Sequence, residues 1–123
     1  MQPKPHTTVA IVDDDHFLRE SLRDFFDAMG IDSVVHGSAD AFLASGDIAR
    51  VQCVLADLKM PGTNGMDLLR KIVAMGGPPV CIMTSFADSY TRRMAQSCGA
   101  AGFIEKPIDS ASLLEFISKS NCG

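Results

Sequence analysis

The stretch Val54-Leu55-Ala56-Asp57-Leu58-Lys59-Met60-Pro61-Gly62 places an acid at the end of a short apolar run. The run is too short for an ordinary helix, and Pro61 and Gly62 stop it from continuing. The pattern therefore predicts a buried strand that delivers Asp57 to its tip. An ionised carboxylate in such a place needs hydrogen bonds, cations or a metal ion around it, so the ends of the neighbouring strands decide its chemistry. On its own, the acid is equally suited to capping a helix or starting a turn.

Four more strands are predicted around this one, each a short apolar run that stops at polar or turn-forming residues. Between the strands, apolar residues recur at helical spacing, and Phe17, Val73 and Tyr90 are among those assigned to buried helix faces. Ser110 is the predicted N-cap of the last helix. The five predicted strands are Thr8–Val12, Ser33–His36, Cys53–Ala56, Val80–Met83 and Gly102–Glu105.

The alternation of five strands with five helices predicts an α/β fold. Its sheet is expected to be parallel, covered by helices on both faces and joined by right-handed crossovers. In such folds, ligands bind beyond the carboxyl ends of the strands. Polar residues fall at that edge after four of the five strands. They are Asp13 and Asp14 after the first strand, Asp57 after the third, Thr84 after the fourth and Lys106 after the fifth.

Length and composition fit one globular domain, because 123 residues are enough to bury a core without disulfides. The net charge of -4 and the lack of a Lys/Arg cluster argue against nucleic-acid binding by this chain alone. No apolar run approaches the ~20 residues of a membrane span, and the N-terminus lacks a signal-peptide pattern, so a cytoplasmic location is predicted. We expect a disordered lead over residues 1–7, the domain over residues 8–119 and a tail over residues 120–123.

The cysteines show neither CxxC pairs nor histidines at zinc-like intervals. Two of them lie in or beside apolar strand runs, where cysteine behaves as a small hydrophobic residue. We therefore expect all four to be reduced and structural. They are Cys53, Cys81, Cys98 and Cys122.

The acids at the predicted sheet edge require a cation. Two carboxylates ~4 Å apart repel by roughly 4 kcal/mol at the effective dielectric of a protein surface. Oxygen ligands suit a hard divalent ion, so Mg²⁺ is predicted, with Mn²⁺ as a substitute. Together with the metal, the ammonium of Lys106 and the hydroxyl of Thr84 would stabilise the oxygens of a phosphoryl group. Asp57 would be the nucleophile that receives the group.

Four motifs stand in order at the predicted strand ends: Val12-Asp13-Asp14-Asp15, Asp57-Leu58-Lys59-Met60-Pro61 with Gly65, Thr84-Ser85, and Lys106-Pro107. By these motifs the chain resembles the receiver domain of two-component response regulators over about residues 8–119. The segments 38–43 and 103–107 are most similar to receivers of the nitrogen-fixation regulator type. The resemblance implies a flavodoxin-like, doubly wound (βα)5 fold with strand order 2-1-3-4-5.

The resemblance also implies how a metal would be held. Asp14 would bind Mg²⁺ directly, together with Asp57, the acid that is modified. Asp13 would contact the ion mainly through water, and Lys59 would contribute its backbone carbonyl.

Further roles follow from the same resemblance. Asp57 would accept a phosphoryl group from a sensor histidine kinase, or from a small donor such as acetyl phosphate, in a self-catalysed transfer followed by slow autodephosphorylation. Thr84 and Lys106 would hold the phosphoryl oxygens, and the peptide between Lys106 and Pro107 would be cis. Phe103 would turn inward as Thr84 moves, and so remodel the face of helix 4, strand 5 and helix 5. That face would support a homodimer and control transcription through an output domain outside this chain.

Two other functions are compatible with part of the pattern. A metal-dependent phosphatase of the haloacid dehalogenase type would use Asp13 as its nucleophile and Asp15 as its acid/base partner. Against it, little chain follows Lys106 to supply further metal-binding acids, and Asp57 would have no role. A receiver-like interaction module that is never phosphorylated is opposed by the complete set of edge residues. Phe103 is also compatible with plain core packing.

Overall fold

The computed structural model describes residues 7–121 and contains one five-stranded sheet. All neighbouring strands pair in parallel, in the order β2-β1-β3-β4-β5. The predicted α/β fold and strand order are therefore confirmed. The strands are β1 Thr8–Val12, β2 Asp32–His36, β3 Cys53–Asp57, β4 Val80–Thr84 and β5 Gly102–Glu105.

A helix follows each strand, and polar side chains cap the helix starts. Asp15, Ser38, Asn64 and Asp88 each accept a backbone N–H of the helix that they precede. The helices are α1 His16–Ala28, α2 Ala39–Ser45, α3 Gly65–Ala74, α4 Ser89–Ser97 and α5 Ser110–Asn121, and a 3-10 turn spans Asp47–Ala49.

The cap of α5 differs from the prediction. Oδ1 of Asp109 accepts a hydrogen bond from the backbone N–H of Ser112 at 2.7 Å, so Asp109 caps the helix instead of Ser110. The pKa of Asp109 is lowered by its hydrogen bonds to Ser112, since they favour the charged carboxylate.

The core has two apolar layers, one on each face of the sheet. Alternate strand residues point to opposite faces, so each strand contributes to both layers. One layer packs α2, α3 and α4 against the sheet, with Phe42 and Ile72 fully buried. The other packs α1 and α5, with Phe26 fully buried. The prediction of helices on both faces is thus confirmed.

Several side chains assigned to buried helix faces are exposed, among them Phe17, Tyr90 and Val73. Phe17 is 82% exposed, Tyr90 64% and Val73 48%. Phe17 and Tyr90 lie in the first turns of their helices, and Val73 lies one residue beyond the buried Ile72. A helix that packs on a sheet buries one stripe only, and these three positions fall outside it.

Cys53, Cys81 and Cys98 are free thiols, and Cys122 lies outside the described residues. Burial raises the pKa of Cys53 to about 11 and that of Cys81 to about 12, so both stay protonated at neutral pH. This agrees with their predicted structural role. Most of the predicted lead, residues 1–6, also lies outside the described residues.

Candidate functional site

The predicted edge residues meet at the carboxyl ends of the strands. Asp57 is the last residue of β3 and Thr84 the last of β4, while Asp13 follows β1 and Lys106 follows β5. Parallel pairing brings these ends to one edge, since β3 lies between β1 and β4. The side chains of Asp13, Asp57 and Lys106 are in direct contact there.

Asp13 is fully buried, and its polar atoms are all engaged by protein groups. Its N–H donates to the carbonyl of His36 at 3.1 Å, and its own carbonyl accepts from Nη1 of Arg19 at 2.8 Å. Oδ1 accepts from the N–H of Asp15 at 2.9 Å, and Oδ2 accepts from Nζ of Lys106 at 2.9 Å. Buried carboxylates require such partners, so Asp13 is a rigid part of the site.

Lys106 is shared between two acids. Its Nζ lies 2.9 Å from Oδ2 of Asp13 and 3.1 Å from Oδ1 of Asp57. Burial disfavours the charged amine, but the hydrogen bond and charge of Asp13, followed by those of Asp57, hold the pKa of Lys106 above its ordinary value. Lys106 is therefore a fixed positive charge beside Asp57.

Asp57 has a raised pKa. Burial is the main cause, repulsion from Asp13 adds to it, and the opposing pull of Lys106 does not cancel them. The single ammonium group of Lys106 is thus paired with the carboxylates of both Asp13 and Asp57. The site of the metal-free protein retains an excess of negative charge, which a cation would relieve.

The acidic side chains fit a hard divalent ion. Ligand oxygens of Asp13, Asp14 and Asp57 lie within 4.8 Å of one another. Asp14 is exposed, and within residues 7–121 its carboxylate accepts no hydrogen bond, so it is available to a metal. Lys59 lies two residues beyond Asp57 in the loop before α3, with its side chain exposed. Oxygen donors of this kind suit Mg²⁺ or Mn²⁺.

Thr84 is the last residue of β4, and Phe103 lies within β5. The Thr84 hydroxyl is buried, accepts from the N–H of Phe86 at 3.1 Å and donates to its carbonyl at 3.4 Å. The ring of Phe103 is half-buried, and the guanidinium carbon of Arg92 stands 4.7 Å from its centroid. The peptide between Lys106 and Pro107 is cis, as the resemblance implied.

Gly65 lies against the main chain at the tip of β3. Its N–H donates to the carbonyl of Leu58 at 2.9 Å. A Cβ at this position would overlap the carbonyl oxygen of Asp57 and would lie 2.9 Å from Cα of Leu58. The close approach of α3 to β3 therefore requires glycine.

Sequence reasoning missed two contacts near the site. The side chain of Arg19, on α1, reaches the carbonyl of Asp13. The hydroxyl of Thr63, in the loop after β3, donates to Oδ1 of Asp40 on α2 at 2.8 Å. Neither contact has a signature in the sequence, since each joins residues of different elements.

Comparison with known proteins identifies the fold and the family. The family model described as the response regulator receiver domain matches residues 9–118. The transcriptional regulatory protein FixJ of Azorhizobium caulinodans is 36% identical over 91% of this chain and 54% of its own length. The crystal structure of FixJ-N is 33% identical, covers 98% of this chain and 95% of its own, and has a TM-score of 0.82. The chemotaxis protein CheY4 of Vibrio cholerae, 19% identical with a TM-score of 0.85 over 94% of this chain and 99% of its own, shares the fold.

The chain spans about half the length of that curated FixJ relative. None of the described helices is long and apolar enough to cross a membrane. The family match covers nearly the whole chain, and the acids, lysine and threonine of the resemblance stand at the matching strand ends. The chain therefore belongs to the receiver domain family of two-component response regulators.

Proposed function

We propose that Asp57 is the phosphoryl acceptor of this receiver domain. The observation that carries the proposal is the position of its carboxylate, at the tip of β3, 3.1 Å from the ammonium of Lys106 and beside Asp13 and Asp14. A carboxylate oxygen of Asp57 forms the new bond to phosphorus, while the bond from phosphorus to the donor breaks and the donor keeps the electron pair. Lys106 neutralises charge on the phosphoryl oxygens.

The remaining edge residues have supporting roles in the proposal. Asp13, Asp14, Asp57 and the backbone carbonyl of Lys59 would hold Mg²⁺ or Mn²⁺, which neutralises phosphoryl oxygens during transfer. The hydroxyl of Thr84 reaches the phosphoryl group by giving up its hydrogen bonds to Phe86. Because these bonds hold the main chain of the loop between β4 and α4, their loss would carry a change at Asp57 toward α4.

The proposed donor is the phosphohistidine of a sensor histidine kinase, the general partner of receiver domains. The receiver domain is proposed to span residues 8–119, close to the family match over residues 9–118, and its last helix continues into the predicted tail as far as Asn121. Because the FixJ relative is a transcriptional regulatory protein, an output domain outside this chain is proposed to control transcription. A cytoplasmic location is part of the same proposal.

Phosphoryl uptake tests the proposal directly. Incubation with Mg²⁺ and acetyl phosphate is expected to add the mass of one phosphoryl group, lost again in hydroxylamine, as measured by mass spectrometry of the intact chain. Peptide mapping after borohydride reduction should place the group on Asp57. A group found on Asp13 would instead support the phosphatase mechanism, and a chain that takes up no phosphoryl group would be an interaction module.

Mg²⁺ is expected to stabilise the folded protein. The ion relieves the repulsion between the carboxylates and binds the folded chain selectively. At a Mg²⁺ concentration a hundred times the dissociation constant, this binding adds about 2.7 kcal/mol to the free energy of unfolding. For a chain of this size the melting temperature should rise by about 10 °C. Thermal melts in Mg²⁺ and in EDTA measure the change.

Asp14→Ala serves as the test variant for this effect. It should melt higher than wild type in EDTA, because one repelling charge is gone, and should lose most of the response to Mg²⁺. Asp24→Ala, an exposed acid on α1, is the control and should respond to Mg²⁺ as wild type does. Identical melts of wild type in EDTA and in Mg²⁺ would contradict the metal site.

Phosphorylation is expected to promote a homodimer through the face of α4, β5 and α5. As Thr84 turns to the phosphoryl group, the ring of Phe103 moves inward and leaves Arg92, which changes this face. Analytical ultracentrifugation with beryllofluoride and Mg²⁺ should show the monomer converting to dimer. Phe103→Ala should lose the conversion, whereas Phe17→Ala, which removes an exposed ring on α1, should keep it. A normal dimer of Phe103→Ala would contradict the role of the ring.

A further inference from the structure

Arg19 connects α1 to the end of β1 through the main chain. Its Nη1 donates to the carbonyl oxygen of Asp13 at 2.8 Å, and the residue is half-buried. In the part of the chain that the structure describes, Arg19 forms no ion pair with a carboxylate. The contact therefore differs from an ordinary surface salt bridge, in which the partner is a mobile side chain.

The guanidinium also lies against the end of β2. A Cβ on Gly37 would stand 3.3 Å from Nη1 of Arg19 and 3.8 Å from its Cζ, so the absence of a side chain leaves room for the group. At the same place, the N–H of Asp13 donates to the carbonyl of His36 at 3.1 Å. Arg19 is thus set between the ends of β1 and β2, against backbone on both sides.

The hydrogen bond bears on Asp14 because of peptide geometry. The carbonyl of Asp13 and the nitrogen of Asp14 belong to one planar peptide unit, so fixing the carbonyl fixes the direction in which the chain enters Asp14. The carboxylate of Asp14 is exposed and, among residues 7–121, accepts no hydrogen bond of its own. Its place beside Asp13 and Asp57 therefore depends on the main chain that Arg19 holds.

We infer that Arg19 is a positioning residue for the divalent cation, and the inference rests on the proposed function. Arg19 holds the peptide between Asp13 and Asp14 so that the Asp14 carboxylate stays within reach of the ion. The charge of Arg19 has the opposite effect, since a cation close to the site repels Mg²⁺. The two effects therefore predict opposite changes when Arg19 is replaced. Loss of the positioning contact weakens Mg²⁺ binding, whereas loss of the positive charge strengthens it.

Arg19→Gln is the variant that tests the inference. Its dissociation constant for Mg²⁺ should rise about tenfold, the lower end for residues that orient metal ligands. Titration of the ¹⁵N-labelled protein with MgCl₂, followed through the amides of Asp13, Asp14 and Asp15, measures the constant without phosphoryl transfer. Arg23→Gln makes the same charge change one turn further along α1, at an exposed residue, and should bind Mg²⁺ at least as tightly as wild type.

Arg19→Lys is the conservative variant. Its ammonium keeps the charge and can donate to the same carbonyl, so it should recover most of the affinity that Arg19→Gln loses. If Arg19→Lys binds Mg²⁺ as weakly as Arg19→Gln does, the loss of affinity would come from a general disturbance of α1, and the inference would be overturned.

Arg19→Gln that binds Mg²⁺ as tightly as wild type, or more tightly, would overturn the inference while leaving the proposed metal site intact. A wild-type chain that binds no Mg²⁺ would overturn the metal site itself, and the inference with it. If Arg19→Gln binds Mg²⁺ more weakly while wild type and Arg23→Gln bind it normally, the result would support both the metal site and the role of Arg19.

Discussion

Asp57→Asn is expected to abolish phosphoryl uptake from acetyl phosphate. The amide keeps the shape of the side chain and an oxygen that can accept from Lys106, but it lacks the carboxylate nucleophile. Intact-mass spectrometry after incubation with Mg²⁺ should show no added phosphoryl group. Asp24→Asn, with the same chemical change on exposed α1, should be modified as wild type is.

The same substitution is expected to stabilise the metal-free protein at neutral pH. The folded-state pKa of Asp57 lies above its ordinary value of 3.8, because of burial and then of Asp13. Ionisation therefore costs more in the folded chain than in the unfolded chain, and wild type loses stability as the pH rises from the ordinary carboxyl pKa through the raised one. Urea melts in EDTA should show Asp57→Asn as the more stable protein at neutral pH, with the difference vanishing below the ordinary pKa.

Two outcomes would contradict these expectations. Continued modification of Asp57→Asn would place the acceptor elsewhere, with Asp13 the first candidate. A metal-free Asp57→Asn less stable than wild type at neutral pH would mean that attraction to Lys106 outweighs burial and repulsion, contrary to the raised pKa of Asp57.

The strands could be predicted because each is a continuous apolar run with a polar stop, whereas their order in the sheet was implied by the resemblance to receiver domains. The bounds differ by a residue, since β2 starts at Asp32 and β3 includes Asp57. The site followed from the same pattern, because parallel pairing brings the carboxyl ends of β1, β3, β4 and β5 to one edge. Parallel pairing thus predicted that Asp13 and Lys106 share one edge of the sheet, although 93 positions separate them in the chain.

What could not be predicted depends on contacts between elements. The period of a helix shows which residues share a face, but it does not show where the sheet beneath it ends, so Val73 and Tyr90 were assigned to the core. The hydrogen bond from Arg19 ends on the main-chain carbonyl of Asp13. Because every residue has such a carbonyl, the type of residue at position 13 gives no sign of the contact. The requirement for glycine at position 65 likewise depends on the distance between α3 and β3.

Gly65→Ala is expected to lower both the stability of the protein and the rate of phosphoryl uptake. The added Cβ would overlap the carbonyl oxygen of Asp57, and main chain cannot move aside as the end of a flexible side chain can. Overpacking of this kind costs about 3 kcal/mol, while alanine gains about 1 kcal/mol over glycine in a helix. The clash outweighs the helix propensity, and the melting temperature should fall by about 8 °C.

The effect on phosphoryl uptake separates displacement of the site from loss of stability. Relief of the clash shifts the start of α3 relative to the tip of β3, and we expect the shift to disturb the carboxylate that lies 3.1 Å from Lys106. Gly76→Ala is the matched control at the other end of α3: its φ of 68° strains an alanine, but nothing lies within 4 Å of the new Cβ. Thermal melts, together with initial rates of uptake measured below the melting range, should show Gly76→Ala destabilised by about 1 kcal/mol yet modified at the wild-type rate. Gly65→Ala with a wild-type rate would contradict the argument, because it would mean that the β3 tip tolerates the shift without moving Asp57 from its partners.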